Sequence, residues 1–124
     1  MAGFLQDLTR TIAAKTADYQ VTKDDLGKML TTRGTSAQVN FTLPTVGTVW
    51  SGWWVEFFNA AGQTMAILSS GSLDNISTFN DLTADSITFS TSSELIGASV
   101  KVTWDGTGWL SQLMTEETQT STIA

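Results

Sequence analysis

The chain has 124 residues, enough for one domain that buries roughly two-thirds of the surface its unfolded form exposes. Charged residues make up only 15%, while Thr and Ser supply roughly a quarter, so strand and turn formers take the place of charge and leave a surface suited to packing against partners. A net charge of −6, six scattered Lys and Arg, no Cys and no His argue against phosphate-backbone binding, and they remove disulfides, thiolate sites and the commonest general base and metal ligand.

Gly3–Lys15 (GFLQDLTRTIAAK) places Phe4, Leu8 and Ile12 on one helical stripe with Leu5 and Ala13 beside them. Asp7 comes early and Arg10 and Lys15 late, the order the helix dipole favours. The pattern predicts a short helix that must dock on something, with an extended arm as the alternative. No apolar run reaches the roughly 18 residues of a membrane span, and MAGFLQDLTR lacks the basic and apolar regions of a secretory signal. The expected organisation is an arm or helix over 1–16, a β-domain over 17–114 and a C-terminal tail over 115–124 (TEETQTSTIA) without packing pattern.

Within the β-domain, Ala17–Val21 is a first short strand, and Thr22-Lys23-Asp24-Asp25 has capping-box spacing before Gly27. Lys28–Thr32 is a second strand and Gln38–Leu43 a third, with Val39, Phe41 and Leu43 inward and Pro44 at its end. Trp50–Asn59 (WSGWWVEFFN) is the aromatic centre: Trp53, Val55 and Phe57 face one way, Trp54, Glu56 and Phe58 the other. A strand apolar on both faces belongs between two layers or at an interface. Thr64–Ser69 is expected to pair back on it as a hairpin; Ile76, Phe79 and Leu82 are scattered anchors, and Ser86–Ser90 is a further strand.

Val100–Met114 (VKVTWDGTGWLSQLM) is the clearest element. Val100, Val102 and Trp104 alternate with polar residues, Asp105-Gly106-Thr107-Gly108 makes a tight loop, and Trp104 and Trp109 bracket it. Gly106 is expected at positive φ, and Gly108 at a second left-handed position. The fold class is therefore all-β: a compact β-sandwich or barrel-like domain of about eight short strands with a short N-terminal helix or arm.

The titratable candidates for catalysis are carboxylates: Asp24, Asp25, Asp74, Asp81, Asp85, Asp105, Glu116 and Glu117. Their spacing selects no acid/base pair and no calcium loop. Asp24 and Asp25 read as a cap, Asp105 as a turn residue, and Glu116 and Glu117 as a solvated end, so neither enzyme activity, metal nor cofactor is expected. Five tryptophans permit a sugar-stacking platform, but Trp53 and Trp54 point to opposite faces of a strand, which favours core and subunit-interface packing.

Tyr19-Gln20-Val21-Thr22, Asp25-Leu26-Gly27-Lys28, Leu30-Thr31-Thr32 and Phe41-Thr42-Leu43-Pro44, followed by Val102-Thr103-Trp104-Asp105-Gly106-Thr107-Gly108-Trp109, resemble a pattern in small β-rich virion proteins of tailed bacteriophages. It covers about Ala17–Leu113 and occurs in capsid decoration (cement) proteins and in domains of tail fibres and spikes. The absence of shaft repeats and of collagen-like or coiled-coil segments makes the chain more similar to the decoration proteins. The resemblance implies a homotrimer on the outer surface of the major capsid protein lattice, stabilising the shell and assembled in the host cytoplasm. It implies no nucleic-acid, membrane or cofactor partner and no catalytic residues. The alternative is a tail fibre or spike module that binds a host surface glycan. The expected interaction residues are Phe4, Leu5, Leu8, Ile12, Trp50, Trp53 and Trp54.

Overall fold

The computed structural model describes residues 10–113 other than Phe79, together with Thr122 and Ile123. It is predominantly β, with two mixed sheets of short strands. The strands are β1 (Ile12–Ala14), β2 (Tyr19–Gln20), β3 (Met29–Thr31), β4 (Val39–Thr42), β5 (Trp54–Phe58), β6 (Met65–Leu68), β7 (Ile76–Thr78), β8 (Asp81–Ala84), β9 (Ser86–Phe89), β10 (Ser99–Trp104), β11 (Trp109–Leu113) and β12 (Thr122–Ile123). Twelve described strands thus stand where about eight were expected, because several last only two or three residues between polar turns.

The larger sheet has seven strands in the order β1-β3-β5-β10-β11-β7-β8, and the smaller has five in the order β12-β9-β6-β4-β2. Up to β6 the chain alternates between the sheets. β1, β3 and β5 are parallel neighbours in one, and β2, β4 and β6 are parallel neighbours in the other. Parallel neighbours need a long crossover; here the crossover is a strand of the opposite sheet. This overturns the expected hairpin of Thr64–Ser69 with the aromatic strand, since β6 pairs with β4 and β9 and lies in the other sheet. The second half is antiparallel in its β5–β10–β11 run, with β10 bridging β5 and β11.

Alternation along the strands fills the core. Val39, Phe41, Met65, Ile67, Ile87 and Phe89 of the smaller sheet and Leu30, Val55, Phe57, Val100 and Val102 of the larger are buried in one cluster. Phe41 meets Phe57 at 5.0 Å between ring centroids, so the two sheets share that core. Leu43 is buried as expected, but Leu82 is 79% exposed and anchors nothing. Phe79, the neighbouring anchor, lies outside the described residues.

The helix expected over Gly3–Lys15 is corrected where it is described. Ile12–Ala14 is extended and pairs with Met29–Thr31, held at its ends by Met29 N–H to the Thr11 carbonyl (2.9 Å) and Lys15 N–H to the Thr31 carbonyl (2.8 Å). The 3.6-residue stripe competed with strand pairing, and a helix this short had no stability of its own with which to win. The tail expected without pattern also contributes a strand, Thr122–Ile123 pairing antiparallel with Ile87 and Thr88.

Two local devices were legible in advance. The capping box is present: Asp24 N–H donates to the Thr22 hydroxyl, and Thr22 N–H donates to the Asp25 carboxylate at 3.0 Å. The closing hairpin pairs Val100–Trp104 with Trp109–Leu113, Trp104 opposite Trp109. Gly106 has φ 96°, as the turn requires. Gly108 is not left-handed; it is small because the chain is crowded there, and an added Cβ would lie 2.9 Å from the Asn75 carbonyl oxygen. That carbonyl accepts the Trp109 N–H at 2.8 Å, so the contact ties the hairpin to β7.

Gly106→Val should lower stability by about 1–2 kcal/mol through left-handed strain. Gly108→Ala should cost a similar amount, about 1–3 kcal/mol, by separating Trp109 from Asn75 or forcing overlap. Urea unfolding midpoints of the two variants check both values; an unchanged midpoint for either would contradict its assigned role.

Candidate interaction surface

β5 is the third of seven strands in its sheet, and its two faces meet different surroundings. Trp53, Val55 and Phe57 are fully buried inward. The Trp53 indole N–H donates to the Lys23 carbonyl at 2.9 Å, and its ring meets Trp109 edge-on at 5.8 Å. Trp104 packs on Trp109 at 5.0 Å. Three of the five tryptophans are therefore core residues.

Trp54, Glu56 and Phe58 point to the outer face. Strand register extends that face: Met29 stands opposite Glu56 and Ile12 opposite Met29, while on the other side Lys101 stands opposite Glu56 and Leu110 opposite Thr103. Ile12 is 65% and Leu110 41% exposed; Met29, Trp54 and Phe58 are half-buried. Apolar side chains therefore lie on this face at β1, β3, β5 and β11, while β10 contributes Ser99, Lys101 and Thr103; the β1–β3–β5 part is a grouping larger than scattered single exposures.

Charge on this face is organised around Glu56. Arg10 grips its carboxylate with both guanidinium arms, Nη1 to Oε2 at 2.6 Å and Nη2 to Oε1 at 3.0 Å. Arg10 also lies 5.5 Å from the Trp54 ring, and Lys101 Nζ lies 4.6 Å from it. Each cation meets the negative face of the indole. Glu56 is the one acid at the outward positions of β1, β3, β5, β10 and β11, and Arg10 neutralises it. Lys101 and Arg33 then leave the face cationic on a chain of net charge −6. Beside β1 a groove of about 400 Å³ runs between Ile12, Ala14, Met29 and Phe58, with Arg33 at its lining.

The expected interaction residues are not brought together. Ile12 and Trp54 share the outer face. Trp53 is core and is corrected to a structural role. Trp50 precedes β5 in a turn next to the closing hairpin and is 53% exposed; there Gly52 N–H donates to the Trp104 carbonyl at 2.8 Å. Phe4, Leu5 and Leu8 lie outside the described residues. Sequence reasoning missed Met29, Lys101, Leu110 and the Arg10–Glu56 pair. The alternation of β10 and β11 already exposed Lys101 and Leu110, but nothing in sequence placed Arg10 beside Glu56, 46 positions away.

Asp25 and Asp105 serve structure. Asp25 is buried and accepts from the Thr22 N–H, the Lys28 ammonium (3.0 Å) and the Tyr19 hydroxyl (2.9 Å). Burial opposes its charge, yet those three donors together hold its carboxyl below the ordinary value of 3.8. Burial and the same carboxylate push the Tyr19 hydroxyl above its usual range. Asp105 accepts from the Thr107 and Gly108 N–H groups at 2.8 Å each, the Gly108 bond first in pulling its acidity below the usual range. Among the described residues no group of three or more His, Cys, Asp or Glu could hold a metal ion. No family model matches the chain, and no curated protein matches it in sequence.

Two expectations follow. Because the folded Asp25 releases its proton more readily than the unfolded one, its stabilisation is present above the unfolded value and fades as pH falls through the folded one. Asp25→Asn should thus cost about 1–3 kcal/mol at pH 7 and flatten the fall in stability below pH ~4; a parallel acid limb in chemical unfolding would contradict this. Arg10→Ala should cost about 1–3 kcal/mol by stranding a mostly covered carboxylate, and adding Glu56→Gln should recover part of it. Additive losses in a double-mutant cycle would show that the pair is not coupled.

Proposed function

We propose that the chain is a capsid decoration (cement) protein of a tailed bacteriophage, a homotrimer that binds the outer surface of the major capsid protein lattice and stabilises the shell. In this reading the two sheets face each other as a β-sandwich. The observation that carries it is the outer face of the larger sheet, with apolar side chains on β1, β3, β5 and β11 and a cationic balance on an acidic chain. Such a face favours a fixed, extended contact over diffusion as a monomer, and modest contacts repeated over a lattice add through multivalency. The virion-protein pattern around Tyr19–Lys28 and Val102–Trp109 supports the same assignment; its Asp25 and Gly106 have defined structural tasks.

The competing reading, a tail fibre or spike module that binds a host surface glycan, rests on Trp50, an exposed ring on which a sugar can stack. It receives less support, because Trp53, Trp104 and Trp109 are committed to the core.

Undecorated heads mixed with the purified protein and sedimented test the proposal. Saturable binding in many copies per head is expected, with Ile12→Asp/Leu110→Asp lowering occupancy roughly tenfold at an unchanged melting temperature. Binding only at low copy number, or to host glycan instead of heads, would favour the tail module. A clean monomer mass in light scattering at micromolar concentration would remove the trimer from the proposal.

A further inference from the structure

Among the described residues the larger sheet ends at β1 and at β8. At the far edge of the larger sheet β8 carries Asp81, and charge on an edge discourages pairing. β1 is Ile-Ala-Ala, with no charge within the strand. Its bonds to β3 run from the Thr11 carbonyl and the Lys15 N–H, so Ala13 shares that side and the N–H and C=O groups of Ile12 and Ala14 face away from the sheet. Next to this open backbone lies the groove between Ile12, Ala14, Met29 and Phe58, and Arg33 reaches it without an ion pair among the described residues.

We propose that β1 is a strand-addition site: it takes an extended segment of a partner protein that pairs with Ile12 and Ala14, sets alternate apolar side chains in the groove and places a carboxylate on Arg33. This rests on the outer face being a docking surface and names what docks there. Open main-chain groups supply affinity and the groove supplies side-chain selection. The Arg33 guanidinium, which has no ion pair among the described residues, selects a carboxylate, which it can grip with two parallel bonds. A second copy pairing edge to edge is the wrong occupant. Antiparallel pairing of two β1 strands would bring Arg33 of one copy toward the Arg10 end of the other, where the Glu56 carboxylate is already taken by Arg10 and leaves Arg33 without a partner.

The probe is a blocked synthetic peptide, acetyl-Thr-Val-Thr-Val-Asp-amide, added to the whole chain while amide hydrogen exchange is followed by NMR. Saturating peptide should slow exchange at Ile12 and Ala14 by at least about tenfold. A peptide N-methylated at alternate residues should give no slowing, and Arg33→Glu should weaken binding by roughly tenfold. The modified peptide leaves the protein untouched, so that comparison survives any folding defect in the variant. No slowing, or equal slowing by the N-methylated peptide, overturns the proposal. So do amides already slow in the free chain that quicken when Met1–Thr9 is deleted, because the chain then covers its own edge. Peptide binding without head binding upholds strand addition and removes the capsid assignment. Head binding undiminished by Arg33→Glu, with no peptide binding, does the reverse.

Discussion

Phe57 and Phe41 touch across the space between the sheets, and the buried strands on either side are packed around that contact. Phe57 is flanked in register by Leu30 on β3 and Val100 on β10, and Phe41 by Ile67 on β6. All are fully buried. Fixing β5 in the middle of its sheet with this face inward forces Trp54, Glu56 and Phe58 outward, since side chains alternate. The outer face is thus a consequence of the core. A strand apolar on both faces belongs between two layers or at an interface.

The electrostatics of that outer face depend on one ion pair. Glu56 sits mostly covered in the sheet, and an unpaired carboxylate there would lose hydration without compensation. Arg10 supplies two bonds and stays partly in water, so it neutralises the site without being buried itself. Because Arg10 lies two residues before the start of β1, the pair also helps hold the edge strand against the sheet. Folding of the N-terminal edge, neutrality of Glu56 and the cationic balance left by Lys101 and Arg33 are therefore linked. A chain cut after Lys15 would lose all three, whereas one cut after Thr9 would keep them.

What sequence could tell was local. Val100–Leu113 announced its hairpin because Asp105-Gly106 needs positive φ between two alternating arms, and Thr22 and Asp25 announced their cap by spacing. The two faces of β5 followed from alternation alone. Pairing partners did not, because alternation is the same whether a strand bonds to its sequence neighbour or to the next strand but one. Hence β6 was expected beside β5 although it pairs with β4. Ile12 carried a helical and an extended reading at once, and only the open side of β3 decided between them. Met29 and Leu110 joined the outer face through register, which no single segment contains. The Arg10–Glu56 pair and the Tyr19 and Lys28 bonds to Asp25 likewise depend on where the chain returns.

The central claim is that β5 divides its labour, its inner side chains holding the fold and its outer ones facing a partner. Urea unfolding of Phe57→Ala beside Phe58→Ser, adjacent residues of the same strand, tests it most directly. Phe57→Ala should lose about 3–5 kcal/mol, while Phe58→Ser should stay within about 1 kcal/mol of the parent. Equal losses would mean that the outer face is packed by the chain itself, and the account of a surface reserved for a partner would be wrong.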